Sequence, residues 1–336
     1  MKAPGGAKGH EVYRASRRRA NPGPDAAGGC VFACYTARGF RPTLAMRKLP
    51  RFSAAFAALG MFIALAFPGA VAATSPTLDR IKERGTIVFS YRHAAPPFSY
   101  RDREGRVKGY SVDLCLRVAA LVQKELGLKQ LQIEWVSVEA ATRLEAVASG
   151  KVDADCGTTT ISLSRMEQVD FSVPIYVDGG GVLVRTKKKP MQMADIKGKR
   201  IAVIPGTTTE QAIKRMLDSL SLQATLVPVT NGPEGMALLE RGEVDGYAGD
   251  KVVLANLKLR SPNPNALMFV TGDFSYEPYG IALRRDDPDF KLAVNRAIVG
   301  LYRTGDIDAI FQRWLGAMGR PGTLLNAMFY LNTLPE

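Results

Sequence analysis

Two threonine-rich segments of this 336-residue chain combine residue types that can hold charged groups. The first, Gly206-Thr207-Thr208-Thr209-Glu210, follows the apolar run Ile201-Ala202-Val203-Ile204 and opens a helical pattern. Thr207 and Glu210 have capping-box spacing, and the N–H groups at a helix start lack intrahelical acceptors, so the turn favours an anion. An ordinary helix cap has the same spacing. No Gly-Lys-Ser or Gly-Lys-Thr occurs here, which excludes a nucleotide P-loop. The second segment runs from Thr158-Thr159-Thr160 to Ser164-Arg165-Met166-Glu167. Ser164 and Glu167 repeat the capping spacing and put Arg165 in the first helical turn. A cation there opposes the helix dipole. Beside an N–H-rich loop it is well shaped to take a carboxylate through two nitrogens, although a solvated arginine is the commoner use.

Other chemistries are excluded by what is missing. One of the two histidines, His10, lies near the N-terminus, which leaves His93 alone in the body of the chain. Histidine-based metal sites and most Ser/His or Cys/His nucleophile systems cannot be assembled from one imidazole. Cys30 and Cys34 also lie near the N-terminus. Cys115 and Cys156 remain, with no CxxC motif between them. In an oxidising compartment these two can pair, or they can stand as separate buried thiols. No metal and no cofactor is expected.

The elements that position the two segments are legible. Leu78–Arg84 reads as a short helix stopped by Gly85, followed by the strand Thr86–Tyr91. Loops around Pro96-Pro97 and Gly105 lead to a helix opened by Ser111 or Asp113, with Leu114, Val118, Leu121 and Val122 at helical spacing. Leu131, Ile133 and Trp135 alternate with polar residues as a half-buried strand. Strands separated by helices of this length predict an α/β fold with largely parallel pairing.

A helix–Gly–strand unit then occurs twice, 92 residues apart in register. Arg143 to Gly150 and Lys151-Val152-Asp153 lead to Cys156-Gly157-Thr158. Met236 to Gly242 and Glu243-Val244-Asp245 lead to Ala248-Gly249-Asp250. The repeat implies two similar lobes, and ligands of open α/β sheets gather beyond the strands' carboxyl ends. Thr158 and Asp250 should therefore face one cleft. The chain is expected to cross between lobes at Tyr176–Gly181 and to return at Tyr276–Gly280, into a strand Ile281–Leu283. A last helix over about Phe290–Trp314 should pack back on the first lobe. Residues 76–178 and 277–318 make up that lobe, 182–273 the second, and 319–336 a tail on the first. Two crossings leave the lobes free to hinge.

The net charge of +13 is concentrated at the N-terminus. Residues 1–45 carry eight basic and two acidic side chains, and 46–75 add three basic ones. The remainder, with 34 basic and 30 acidic side chains, is nearly balanced, which removes the case for nucleic-acid binding. Met46-Arg47-Lys48-Leu49-Pro50-Arg51, an uncharged apolar run from Phe52 to Phe67, and Ala70-Val71-Ala72-Ala73 have the order of a secretory signal peptide, so 46–73 is expected to be cleaved on export to the periplasm. Residues 1–45, rich in Gly, Ala, Pro and Arg, are expected to be a disordered, non-native extension ahead of a true start at Met46.

A set of motifs in fixed order adds a resemblance. It comprises Tyr91-Arg92, Pro97-Phe98-Ser99-Tyr100, Gly109-Tyr110-Ser111-Val112-Asp113-Leu114 and Asp155-Cys156-Gly157-Thr158-Thr159-Thr160. It continues through Ser164-Arg165, Phe171-Ser172, Gly206-Thr207-Thr208 and Leu325-Asn326-Ala327-Met328-Phe329. Together, over residues 78–330, these resemble the family 3 extracellular solute-binding proteins, closest to the glutamate/aspartate-binding branch of ABC transport systems. The resemblance implies a two-lobed type II periplasmic binding protein fold with two hinge crossings. It implies a monomer that captures an amino acid by closing and hands it to ABC permease subunits in the inner membrane. It assigns Arg165 to the α-carboxylate with Thr160 and Thr208, Asp250 to the α-ammonium with Thr158 beside it, and Arg92 and Arg143 to an acidic side chain. Ala140 and Gly232 depart from that branch, which often has Ser and His there. Two other functions use similar folds: a periplasmic cyclohexadienyl dehydratase, and a sensor domain. The arginine set fits an amino dicarboxylate better than the first, and the second would need a transmembrane exit and a signalling module after the lobes, neither of which is expected here.

Overall fold

The computed structural model describes residues 75–186 and 189–335. The expected extension over 1–45 and signal peptide over 46–73 lie outside the described residues. No described helix is long and apolar enough to cross a membrane.

The first lobe begins with helix α1 (Pro76–Arg84), where Ser75 caps the N-terminus and proline occupies the first turn. Strand β1 (Thr86–Arg92) is buried along its whole length. A small three-stranded sheet follows, of β2 (Ala94–Ala95), β3 (Ser99–Arg101) and β4 (Val107–Lys108). Helix α2 (Tyr110–Glu125), strand β5 (Gln132–Val138) and helix α3 (Arg143–Ala148) lead to β6 (Ala154–Asp155). The short helix α4 (Leu163–Met166) and β7 (Asp170–Phe171) complete this part.

Strand β8 (Tyr176–Arg185) carries the chain into the second sheet. There β9 (Arg200–Val203), α5 (Thr208–Ser219), β10 (Thr225–Pro228), α6 (Gly232–Arg241) and β11 (Gly246–Asp250) alternate. Helix α7 (Lys251–Arg260) and β12 (Leu267–Phe269) follow. Strand β13 (Ser275–Tyr279) pairs antiparallel with β8, and β14 (Ala282–Leu283) re-enters the first sheet. Helices α8 (Pro288–Thr304), α9 (Asp306–Leu315) and α10 (Thr323–Leu331) close the fold.

The sheets have orders β5-β1-β6-β14-β7 and β10-β9-β11-β8-β12. Their cores are parallel, as β1 pairs with β5 and β6 while β9 pairs with β10 and β11. Both sheets are mixed rather than largely parallel, because β14 and β8, the strands of the crossings, run antiparallel to their neighbours. The Gly179-Gly180-Gly181 run is not a loop but the middle of β8, paired on both edges. At Gly180 a Cβ would come within 2.6 Å of the Phe274 ring, so the glycine permits close packing.

The 92-residue register holds at the level of single hydrogen bonds. Val152 N–H donates to Ala146 O, and Val244 N–H donates to Leu238 O. Gly150 and Gly242 both stop their helices in the left-handed region, at φ of 74° and 77°, where a side chain is strained. The lobes diverge at the next residue. Asp153 is buried and takes Arg80, Arg84 and the Val88 N–H, whereas Asp245 is half-buried and takes the Arg200 N–H. The single helix expected over Phe290–Trp314 is two, broken at Gly305. The expected cap Ser164 lies inside α4, and Ser162 caps it by accepting from the Arg165 N–H at 3.3 Å.

The hinge strands are anchored to the first lobe by aromatic rings. Phe98 lies 4.9 Å from Tyr176 on β8 and 5.2 Å from Tyr279 on β13, with Tyr110 at 5.8 Å. Tyr110 donates to Ile175 O at 2.8 Å. A disulfide joins Cys115 on α2 to Cys156 beyond β6. Phe98 is fully buried, so Phe98→Ala should cost about 3–5 kcal/mol of stability, measured by urea unfolding of the oxidised protein. A loss under about 1 kcal/mol would show that the rings are not what anchors the hinge.

Candidate functional site

Four strands end at one cleft. Arg92 terminates β1, Thr158 follows β6, Ile204 follows β9 and Asp250 terminates β11. Arg92, Arg143, Thr158 and Thr160 line the cleft from the first lobe, and Thr207, Thr208, Gly232, Tyr247 and Asp250 from the second. Six of the seven residues expected from the sequence therefore share one cavity. The seventh, Arg165, does not line it. Its Nη1 donates to Thr160 O at 2.9 Å, which leaves its other donors uncommitted to that bond.

The lobes touch across the cleft, with the Thr160 and Thr208 hydroxyls 3.1 Å apart. Thr208 is the first residue of α5, and Thr207 caps that helix by accepting from the Glu210 N–H at 3.0 Å. The first-turn N–H groups of Thr208 and Thr209 have no intrahelical acceptor, which suits a negatively charged group.

Charge is distributed unevenly. Arg92, Arg143 and Arg165 are all buried. Neither Arg92 nor Arg143 has an acidic partner within 4.0 Å among the described residues, and Arg143 Nε has no hydrogen-bond acceptor. The nearby acids are held by hydroxyls instead. Asp155 takes Ser90 and Thr159 at 2.7 Å each, and Asp250 takes Thr209 at 2.7 Å. Burial, reinforced by the repulsion of Arg92 and Arg165, pushes Arg143 down to about 9 from its ordinary value of 12.5. Arg165 is also lowered by burial, against the opposing pull of Glu277, Asp250 and Asp155. Asp250 is raised by burial and by Glu277.

Two carboxylates of this region were not singled out from the sequence. Glu277 and Asp178 are register partners on the adjacent strands β13 and β8. Glu277 is 1% exposed and accepts from Thr160 and Thr208. Asp178 accepts from Gly179 N–H and from Val252 N–H, so it caps α7 from the hinge strand. The readable signal was an acid in each of the two segments assigned to the crossings.

Residues 87–317 match the bacterial extracellular solute-binding proteins, family 3, and the chain belongs to that family, whose members bind solutes and are not enzymes. It is 34% identical over 239 residues to an L-glutamate/L-aspartate-binding protein of Pseudomonas aeruginosa, covering 71% of this chain and 79% of that one. It is 30% identical to a glutamate/aspartate import solute-binding protein of Salmonella typhimurium, covering 80% and 89%. Among solved structures it is similar to an ancestral arginine-binding protein bound to arginine. The TM-score is 0.61 at 29% identity, over 69% of this chain and 99% of that chain.

Asp178 makes the site's pH dependence testable. Burial, with the repulsion of Asp250, raises it from 3.8 to about 7. A carboxyl whose folded pKa is raised favours the fold while protonated, so its contribution fades as pH rises from about 4 to about 7. Asp178→Asn should flatten the fall in stability across that window, measured by thermal unfolding at stepped pH. An unchanged pH profile would show that Asp178 titrates normally.

Proposed function

We propose that this protein captures an acidic amino acid, glutamate or aspartate, in the cleft between its lobes and delivers it to an ABC importer. The observation that carries the reading is the pair of buried guanidiniums, Arg92 and Arg143, with no acidic partner among the described residues. A buried charge without a counter-ion is costly, and a ligand carboxylate set between the two would remove that cost. The import function of the Salmonella typhimurium relative and the extracellular family support delivery to a transporter.

In this reading Arg165 and the first turn of α5 at Thr208 take the α-carboxylate, with Thr160 beside them. Asp250 takes the α-ammonium, with Thr158 close by. Arg92 and Arg143 read the side-chain charge. Ala140 and Gly232 offer no polar side chain, so the acidic end of the ligand rests on the two arginines. Export through a cleaved signal peptide and action as a monomer in the periplasm belong to the same reading.

Calorimetry of purified residues 74–336 with glutamate, aspartate, glutamine and asparagine tests it. Glutamate or aspartate should bind more tightly than the amides. Arg92→Ala should weaken the acidic ligands by about 2–5 kcal/mol while sparing glutamine and asparagine, and Arg165→Ala should weaken all four. Equal losses of acidic and amide ligands in Arg92→Ala would withdraw the acidic specificity.

A further inference from the structure

Glu277 has no part in the roles assigned above, yet it accepts from three hydroxyls beside the cleft. Its Oε2 accepts from the Thr160 hydroxyl at 2.7 Å and from the Thr208 hydroxyl at 2.6 Å, one from each lobe. Its Oε1 accepts from Ser275 at 2.6 Å. It stands on β13, between the lobes, and is 1% exposed.

A hydroxyl has one proton to give, and a carboxylate only accepts. The two bonds to Glu277 have the short length of charge-assisted O–H···O contacts, whereas the two hydroxyls lie 3.1 Å from each other. Both protons are therefore spent on Glu277. Toward the cleft, Thr160 and Thr208 present lone pairs alone. Thr160 is fixed at its other end as well, since its carbonyl accepts from Arg165.

We propose that Glu277 is a positioning residue for ligand capture, acting through Thr160 and Thr208. By drawing both hydroxyl protons to itself it turns the two hydroxyls into acceptors for the ligand's ammonium, shared with Asp250, so that neither hydroxyl donates to the α-carboxylate lying beside them. The α-carboxylate is left to Arg165 and to the main-chain N–H groups at the start of α5. Because the two donors come from opposite lobes, the arrangement is complete only when the cleft is shut. The proposal rests on the reading of the cleft as an α-amino acid site.

The test compares wild type, Glu277→Gln, Thr208→Val and the double variant by calorimetry with glutamate, glutamine and glutarate, which lacks the ammonium. The amide oxygen of Glu277→Gln can still accept from both threonines, but without the carboxylate's charge it holds their protons less tightly and lets one turn toward the cleft. Glu277→Gln should weaken glutamate and glutamine alike, by ~10–100-fold. The preference for glutamate over glutarate should narrow. The double variant should bind no worse than the weaker single variant, because both changes break one unit. Thr208→Ser, which keeps the hydroxyl, should restore most of what Thr208→Val loses, and this comparison stands even if Glu277→Gln does not fold. Wild-type affinity in Glu277→Gln, an unchanged glutamate-to-glutarate preference, or additive losses in the double variant would overturn the proposal. A wild type that binds no amino acid would instead overturn the reading on which it rests.

Discussion

Three guanidiniums, those of Arg92 and Arg143 lining the cleft and Arg165 behind Thr160, are held out of water while Asp155 and Asp250 are occupied by hydroxyl donors. The desolvation of a cation is large, and only a partner of opposite sign within contact distance offsets it. Arg143 shows the imbalance directly, since burial and the other two arginines depress it while Asp155 and Asp250 offset this only in part. Arg92 ends a strand buried on all sides, and Arg143 begins a helix whose N-terminal end opposes a cation. Neither place is natural for an arginine that only has to be soluble. Both place a positive charge on the wall of the cleft.

The strands that link the lobes carry residues of the cleft's polar network. Tyr176 and Tyr279 fasten β8 and β13 to the first lobe through Phe98, and two residues along each strand stand Asp178 and Glu277. Asp178 holds the start of α7, the helix that follows Asp250, so the hinge strand supports the second lobe's acidic cleft-lining residue. Glu277 joins Thr160 to Thr208. A pair of strands that links the lobes thus also organises the polar groups on both sides of the cleft.

Much of this was legible because it depends on local rules. The repeat was carried by Gly150 and Gly242, whose left-handed φ ends a helix, and by Val152 and Val244, which are buried at 1% and 2%. Thr158 and Asp250 followed from their places at paired strand ends and Arg165 from a helix start, whereas Arg92, Arg143, Thr160 and Thr208 came only from the resemblance to the family. Glu277 and Asp178 did not, because their roles depend on pairing between strands almost 100 residues apart, which no local pattern encodes. The break at Gly305 and the cap at Ser162 were missed for a different reason. An apolar periodicity continues across the first, and two serines at adjacent plausible positions compete for the second. The mixed pairing of the sheets was hidden too, since β14 and β8 read as ordinary strands and their direction is set by the return of the chain.

The central claim is that Arg143 is kept buried and without a counter-ion for the ligand rather than for the fold. Arg143→Met keeps the volume and removes the charge. Differential scanning calorimetry with and without saturating glutamate tests the claim directly. The ligand-free variant should melt at least about 2 °C above the ligand-free wild type, because a costly buried charge is gone, and the glutamate-induced rise in Tm should vanish. A variant that melts lower without ligand, and that glutamate still stabilises as it does the wild type, would contradict the account.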